Sequence, residues 1–388
     1  MLDIGAAALA RLRASHTAPV LLRITDLGGV PHIVPVTAGS VTADASRLVR
    51  RAVSLEVADG AGLFDPADTS SVLSPFAGAT VEVFQGISSR MVRTASAFTA
   101  AFGPAFSRTT VVYGDDETDW FPVGVFTVTE ASEKSGPGGK SVSLTGEDVS
   151  TRINRPWSAE WPIAAGTTVS AAIRAILTDA GVASSAMSIT VPSSFVTPSL
   201  ILGGSSNGSP VQSCADLAEA CGYTFSVSAS GIFETRQMPS PWNDPQMDAT
   251  GLLLSIDRKI ALKDAVNGVV VQAEGTGMLE PWRAEKWIDD AESPLRRGGP
   301  YGENPLLVST SMVSSVAQAE QAAELLFGGS VGFTFDVETV PMPHVDIGDV
   351  LSFTHGGRAF TTVVESFSLP LDAGSAQRLT VRAVTYGD

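Results

Sequence analysis

The stretch Pro122-Val123-Gly124-Val125-Phe126-Thr127-Val128-Thr129-Glu130, followed by Ser135-Gly136-Pro137-Gly138-Gly139 and Ser141-Val142-Ser143-Leu144-Thr145, decides the class of fold. Apolar and polar residues alternate on both flanks, the period of two that turns one face of a strand to a core and the other to solvent. The glycine- and proline-rich segment between the flanks reverses the chain, so the stretch reads as a hairpin. Working upstream, Val20-Leu21-Leu22-Arg23-Ile24-Thr25, Pro31 to Val36, Arg51 to Ala58 and Val81 to Gln85 are strand-length runs bounded by breakers such as Gly28-Gly29. Residues from about Pro19 to Val149 are therefore predicted to form an all-β unit, a barrel or a sandwich.

Downstream the period changes. Val169, Ala172, Ile173, Ile176 and Leu177 follow the i, i+3, i+4 spacing of an amphipathic helix that Gly181 stops. A second helix carries Cys214 and Cys221 and ends at Gly222. Seven helical residues rise roughly 10 Å, beyond the reach of a disulfide. Two buried thiols are therefore expected, because no histidine lies near enough to complete a metal site. Tyr223 to Val227 and Ile232 to Arg236 then face each other across Ser228-Ala229-Ser230-Gly231. From Leu252 strands return, clearest in Phe333 to Val340, with a helix opened by the Ser315-Val316-Ala317-Gln318 capping box and closed at Gly328.

The second half repeats the first. Phe126-Thr127, Glu130, a glycine-bearing turn, Leu144-Thr145 and Val149 are matched by Phe360-Thr361, Glu365, a glycine-bearing turn, Leu379-Thr380 and Val384. A duplication of this kind gives two similar β-barrels with the small α/β unit between them. The expected fold is mainly β with an α+β insert. Its divisions are 1–150 for an N-terminal helix and first barrel, 151–165 for a linker, 166–250 for the α/β unit, and 251–388 for a second barrel with an excursion at 280–312. Three such chains in a ring would present six like modules, the shape of an adaptor to a six-fold partner.

Composition bounds the function. A chain of 388 residues is long enough for two to three domains, and 44% hydrophobic against 17% charged residues excludes wholesale disorder. The net charge of -16 argues against a surface built to neutralise nucleic-acid phosphates. Positive charges at Arg11 and Arg13 follow the apolar N-terminal stretch rather than precede it, so a short amphipathic helix is expected there, not a secretory peptide. The longest apolar runs fall short of the roughly 20 residues of a membrane helix, and a soluble chain made in a cytoplasm is expected. Twenty arginines against five lysines point to a GC-rich genome.

Chemistry is sparse. His16, His32, His344 and His355 belong to no ligand or nucleophile motif and read as surface or turn residues. Asp115-Asp116-Glu117-Thr118-Asp119 lacks the alternating ligands of a calcium loop and reads as an acidic turn. Gly203 to Gly208 lacks the Lys-Ser/Thr of a phosphate loop. Asp65 with Asp68, and Asp289, Asp290 and Glu292, are pairs of the kind a glycosidase needs, yet an acidic chain offers such pairs freely. No catalytic, cofactor-binding or metal-binding residue is expected. Two segments invite contact: an apolar excursion with Phe98, Phe102 and Phe106, read as an inter-subunit contact or as cover for its own barrel, and an aromatic and basic concentration. The latter has Trp282, Trp287, Arg296 and Arg297 near Trp242 and Arg283, a partner or glycan contact or a loop laid over its own barrel.

The order of these pieces resembles a family. Pro122-Val123-Gly124-Val125-Phe126, Leu144-Thr145-Gly146-Glu147-Asp148, Ile173 to Gly181, Leu217 to Tyr223, Val266 to Val271 and Asp346-Ile347-Gly348-Asp349-Val350 together resemble the baseplate hub, or tail-associated minor tail protein, of long-tailed (siphovirus-like) bacteriophages infecting actinobacteria. The resemblance implies a structural, non-enzymatic virion protein of the tail tip, with two tail-tube-like β-barrels and no cofactor. It implies a homotrimer forming a pseudo-six-fold ring that joins the tail tube or distal tail protein to the tip. That ring would surround the channel for tape measure protein and DNA in transit, beside other tail-tip or receptor-binding proteins. The hub of a contractile injection particle would share these features, and a carbohydrate-binding tail-tip protein is the further alternative.

Overall fold

The computed structural model describes residues 2, 4–14, 16–59, 62–65, 68–88, 118–136, 139–203, 208–257, 265–273, 283–310, 315–372 and 374–383. Among them the chain is mainly β, with four α-helices. It opens on α1 (Ala6–Arg13), which buries Ala8 and Leu12 and carries Arg11 and Arg13 in its last turn, where cations suit the helix dipole. Arg11 pairs with Asp119. The first half continues as β1 (Val20–Thr25), β2 (Pro31–Val34), β3 (Val36–Asp44), β4 (Arg51–Ala58), β5 (Thr80–Ile87), β6 (Asp119–Gly136) and β7 (Gly139–Asp148). The alternation read in the sequence is the burial pattern: Arg51, Val53, Leu55 and Val57 of β4 point inward, and β6 returns into β7 with Gly136 opposite Gly139. Each valine, leucine or phenylalanine enclosed this way contributes about 1.5–3 kcal/mol.

The middle of the chain has its own core. It comprises β8 (Trp161–Ile163), α2 (Val169–Asp179), β9 (Met187–Ser188), β10 (Leu200–Leu202), α3 (Pro210–Glu219), β11 (Tyr223–Val227) and β12 (Phe233–Gln237). The apolar stripe of α2 meets that of α3, and Ile173, Ile176, Leu177, Cys214 and Leu217 join Phe225 and Phe233 in one cluster. Thr168 and Ser209 cap the two helices through their hydroxyls, and Pro210 occupies the first turn, where its missing N–H costs nothing. Both thiols are free and buried. Burial pushes Cys221 up to about 12 and raises Cys214 further.

The rest consists of β13 (Met247–Asp248), β14 (Leu253–Asp257), β15 (Gly268–Ala273), β16 (Arg283–Trp287), β17 (Pro305–Thr310), α4 (Val316–Ser330), β18 (Phe333–Thr339), β19 (Val350–His355), β20 (Arg358–Pro370) and β21 (Gln377–Ala383). The excursion joins β15 in a separate sheet ordered β16-β15-β17, backed by α4. Ser315 caps α4 by accepting from the Gln318 N–H, as its sequence requires. The Gln318 side chain also reaches the middle unit, where its Nε2 donates to the Ser194 carbonyl 3.0 Å away. α4 does not stop at Gly328. It runs to Ser330, and its two glycines serve close approach, since a Cβ on Gly329 would strike Met238 and one on Gly328 would press on Ser240.

The two halves share a topology. The path β3-β4-β7-β6-β5 in the first is matched by β14-β18-β21-β20-β19 in the second, every step antiparallel. Two of the irregularities correspond, although the shift between Val83 and Phe84 where β5 pairs with β6 has no counterpart between β19 and β20. A bulge separates Val36 from Ala38 in β3 and Leu253 from Ser255 in β14, and another separates Val128 from Glu130 in β6 and Val364 from Ser366 in β20. These bulges fix the equivalences: Thr145 faces Glu130 where Thr380 faces Ser366, and Leu144 faces Ala131 where Leu379 faces Phe367. The leucine and threonine matches read from the sequence hold in this register. The match of Phe126 to Phe360 does not, because the register sets Thr362 in place of Phe126 and Phe360 in place of Gly124.

The halves are also joined differently from the expectation of two separate barrels. They form one 13-stranded sheet, and its path does not close among the described residues. The reason is the length of β20. Its first part pairs with β19 and its last part, Ser366 to Pro370, runs past the end of β19 and pairs with β3.

Candidate functional site

The joint between the halves buries charged side chains. Arg51 projects inward from β4 and is 4% exposed. Its guanidinium pairs with Asp346, donates to the Val123 carbonyl at 3.2 Å, and lies 5.9 Å over the Phe367 ring. It thereby holds both halves, and its Nε reaches the Val227 carbonyl of the middle unit at 3.4 Å. Burial alone would raise the Asp346 carboxyl, but the charge and hydrogen bond of Arg51, the Ile347 N–H and the charge of Arg236 together hold the group below its ordinary value. Nearby, Arg382 donates to Glu365 at 2.6 Å and to the Val331 carbonyl at 2.8 Å. Gln85 of β5 donates to the Pro370 carbonyl at 3.0 Å, fastening the end of β20.

A cavity of about 190 Å³ lies between Arg50, Arg51, Glu234, Arg236, Asp346 and Glu365. It is smaller than the roughly 300 Å³ at which ligand pockets begin, and its charges satisfy one another, Arg236 with Glu234 at 2.7 Å among them. The arrangement fits a structural joint rather than a small-molecule site. Sequence reading passed over Arg51 and Arg382. The signal was there for Arg51, a cation in the buried phase of an alternating strand.

The aromatic and basic concentration folds upon itself. Trp287 is buried at 6% exposure, and the Arg297 guanidinium covers its ring at 4.4 Å, a cation–π contact. Arg297 in turn bonds Glu285 and Glu303, each at 3.0 Å, and Arg296 donates to the Ala291 carbonyl at 3.0 Å. Asn267 pins the loop from beneath, donating to the Leu295 and Gly302 carbonyls and accepting from the Asn304 N–H. Trp282 lies outside the described residues, as do Phe98, Phe102 and Phe106.

His344 is not a surface residue. It is fully buried beside Phe121 and Met247, and burial pushes it down to about 4. Asp349, also buried, is pushed up to about 6 by its loss of water and by the charge of Asp346. Of the carboxylates paired in the sequence, Asp68 accepts from Ser70 and Asp290 from the Glu292 N–H, as turn residues do. Among the described residues no group of acids, histidines and cysteines could hold a metal ion, and no helix is long and apolar enough to cross a membrane.

No family model matches the sequence, and no curated protein matches it. Solved structures do. The 43 kDa tail protein of prophage MuSo2 from Shewanella oneidensis is similar at a TM-score of 0.54 and 11% identity, over 94% of this chain and 98% of that one. The tail protein from Neisseria meningitidis MC58 is similar at 0.58 and 12% identity, over 94% of this chain and 96% of that one. The fold is that of a tail protein. The coverage takes in both halves and the unit between them, so the doubled sheet and its insert form one shared architecture. At such identities the likeness extends to the fold and to no individual side chain.

Proposed function

We propose that the chain is a structural hub of a phage tail tip, acting as a homotrimeric ring in which two like modules per chain give six positions around a channel. The observation that carries this reading is the doubled five-strand path, repeated with two of its bulges and joined into one sheet. Two equivalent modules in a chain allow a three-fold assembly to present a near six-fold face. On this reading each module is one tail-tube-like barrel segment, completed within the ring. The tail-protein fold supports the setting, and the joint at Arg51 and Asp346 supplies the rigidity that a load-transmitting ring needs.

The ring would meet the tail tube or distal tail protein on one face and receptor-binding or other tip proteins on the other. Tape measure protein and then DNA would pass through it. A net charge of -16 suits a lumen that repels DNA and lets it slip past. The function requires no catalysis and no cofactor. Assembly in the cytoplasm of an actinobacterial host agrees with the arginine-rich composition. End-on electron-microscopy averages of the purified protein, with native mass across a concentration series, test the reading. Three-fold rings with six similar lobes around a pore are expected; a chain that stays monomeric throughout overturns it.

A further inference from the structure

The ion pairs that tie the joint together leave one cation over. Four arginines line its cavity, Arg50, Arg51, Arg236 and Arg382, against three carboxylates, Glu234, Asp346 and Glu365. Each carboxylate is taken: Asp346 by Arg51, Glu234 by Arg236 and Glu365 by Arg382. Arg50 is partly buried, and its guanidinium has neither an ion pair nor a hydrogen bond among the described residues. Asp148, Glu365 and Asp346 act on it only as charges at a distance, and the loss of water outweighs them, so the group lies below the ordinary value of an arginine. A guanidinium deprived of water and given no acceptor is costly, and its five N–H donors call for oxygens from elsewhere.

Further donors meet it from the other parts of the molecule. The middle unit contributes the Ser226 hydroxyl and the Gln237 amide, and the end of α4 contributes the Ser330 hydroxyl; none of these side chains is hydrogen-bonded among the described residues. A helix is negative at its C-terminus, but Arg382 covers that end of α4 by donating to the Val331 carbonyl at 2.8 Å. Donors without acceptors, and one positive charge in excess within a chain of net charge -16, make an anion site and not a cation site. A water occupies roughly 30 Å³ of liquid, so a cavity of about 190 Å³ admits an ion of five heavy atoms but no large organic ligand. Arg236 and Gln237 are exposed, which opens the cavity to solvent on their side.

We propose that this cavity binds one tetrahedral oxyanion of the phosphate or sulfate class, held in the fork of Arg50 and touched by Ser226, Gln237 and Ser330. The tetrahedral shape follows from where the donors stand. A planar carboxylate can fill the Arg50 fork but has no further oxygen for donors that come from two other parts of the chain. The ion belongs to the joint and is no substrate, because it ties the first half, the middle unit and the end of α4 to a single charge. It does so within one chain, so the inference stands whether or not the ring forms.

Urea unfolding of the full chain, with sodium phosphate and then with sodium chloride at equal ionic strength, tests it. An ion that binds only the folded chain lowers the unfolding constant about elevenfold when present at ten times its Kd. A saturable shift of the midpoint with phosphate or sulfate is expected, at one ion per chain by titration calorimetry, and acetate should do far less. Arg50→Gln should abolish the shift, and Ser226→Ala, which leaves the charge in place, should weaken binding roughly fivefold. Equal shifts with phosphate and chloride, or a shift that survives Arg50→Gln, mean a general effect of salt and overturn the site, as does the absence of any shift. Should Arg50→Gln not fold, Ser226→Ala decides, and undiminished phosphate binding there refutes the assignment. Acetate as effective as phosphate overturns the tetrahedral reading.

Discussion

Where the first half of the sheet places Gly124 and then Phe126, the second places Phe360 and then Thr362. Both solutions fill the same space. In the first, the Phe126 ring lies over the bare backbone of Gly124, so that a Cβ there would run into it, and its neighbours are small, with Val83 opposite Gly124 and Val53 close by. In the second, the equivalents of these valines are Phe353 and Phe335, and with Phe360 they form a three-ring cluster. Phe353 and Phe360 stack at 5.3 Å, and Phe335 meets each edge-on at 6.1 and 6.0 Å. A strand repeats every two residues, so a ring can move two places along it and still point into the core. Duplicated modules thus keep strand order and two of their bulges while the large side chains migrate.

The largest test of this contrast is Phe360→Ala. All three rings of the cluster are buried to within a few per cent, and removal of one leaves a cavity that the other two cannot fill, so a loss of about 3–5 kcal/mol in denaturant unfolding is expected. Val83→Ala in the first half should cost clearly less, because a smaller volume is removed beside a ring that can settle. Equal costs would mean that the two cores are not packed in the different ways described.

Much of this architecture is legible in the residues, and what is not has physical reasons. Alternation in β4, β6 and β18 gave strands and their inward faces, and the stripes of α2 and α3 gave the middle unit, because both signals are local. The joint is not local. The pairing of β3 with β20 links residues more than three hundred positions apart, such as Val41 and Leu369, and its only trace is a β20 longer than its partner. The match of Phe126 to Phe360 misled for the reason just given: identity of a large residue is a poorer guide to register than the position of a bulge. His344 was unreadable, since a lone histidine in a proline-bounded turn carries no sign of being enclosed.

That histidine separates the halves in another way. The segment joining β18 to β19 buries His344 and Asp349, whereas the equivalent segment between β4 and β5 contains no histidine. A group held at about 4 when folded takes up its proton first in the unfolded chain. Stability from His344 is therefore complete above about pH 6.5, and about 3 kcal/mol is lost as pH falls to 4. Asp349, raised to about 6, works in the opposite sense, because the folded chain takes its proton first and gains stability as pH falls below 6. The two slopes oppose each other between about pH 6 and 4. His344→Leu should expose the second slope, so that its stability relative to the parent rises by about 3 kcal/mol between pH 7 and 4. Urea unfolding of both proteins at the two pH values measures it, and a difference that does not change with pH refutes the assignment.

The smallest effect tests the contrast most directly, because it asks whether the glycine and the ring of the first half are one device. Gly124→Ala inserts a methyl group where the Phe126 ring lies, and the ring must leave its rotamer or the strand must shift, at about 1–3 kcal/mol. Phe126→Leu costs a similar amount by itself through lost volume. Combined, the two changes should cost less than their sum, since the leucine vacates the space that the new methyl group needs. A double-mutant cycle in urea reads the coupling, which for residues in contact is commonly about 0.5–3 kcal/mol. Strict additivity would mean that Gly124 serves the strand and not the ring. The second half would then have gained Phe360 without giving anything up, because the space that Phe126 fills would never have depended on the glycine.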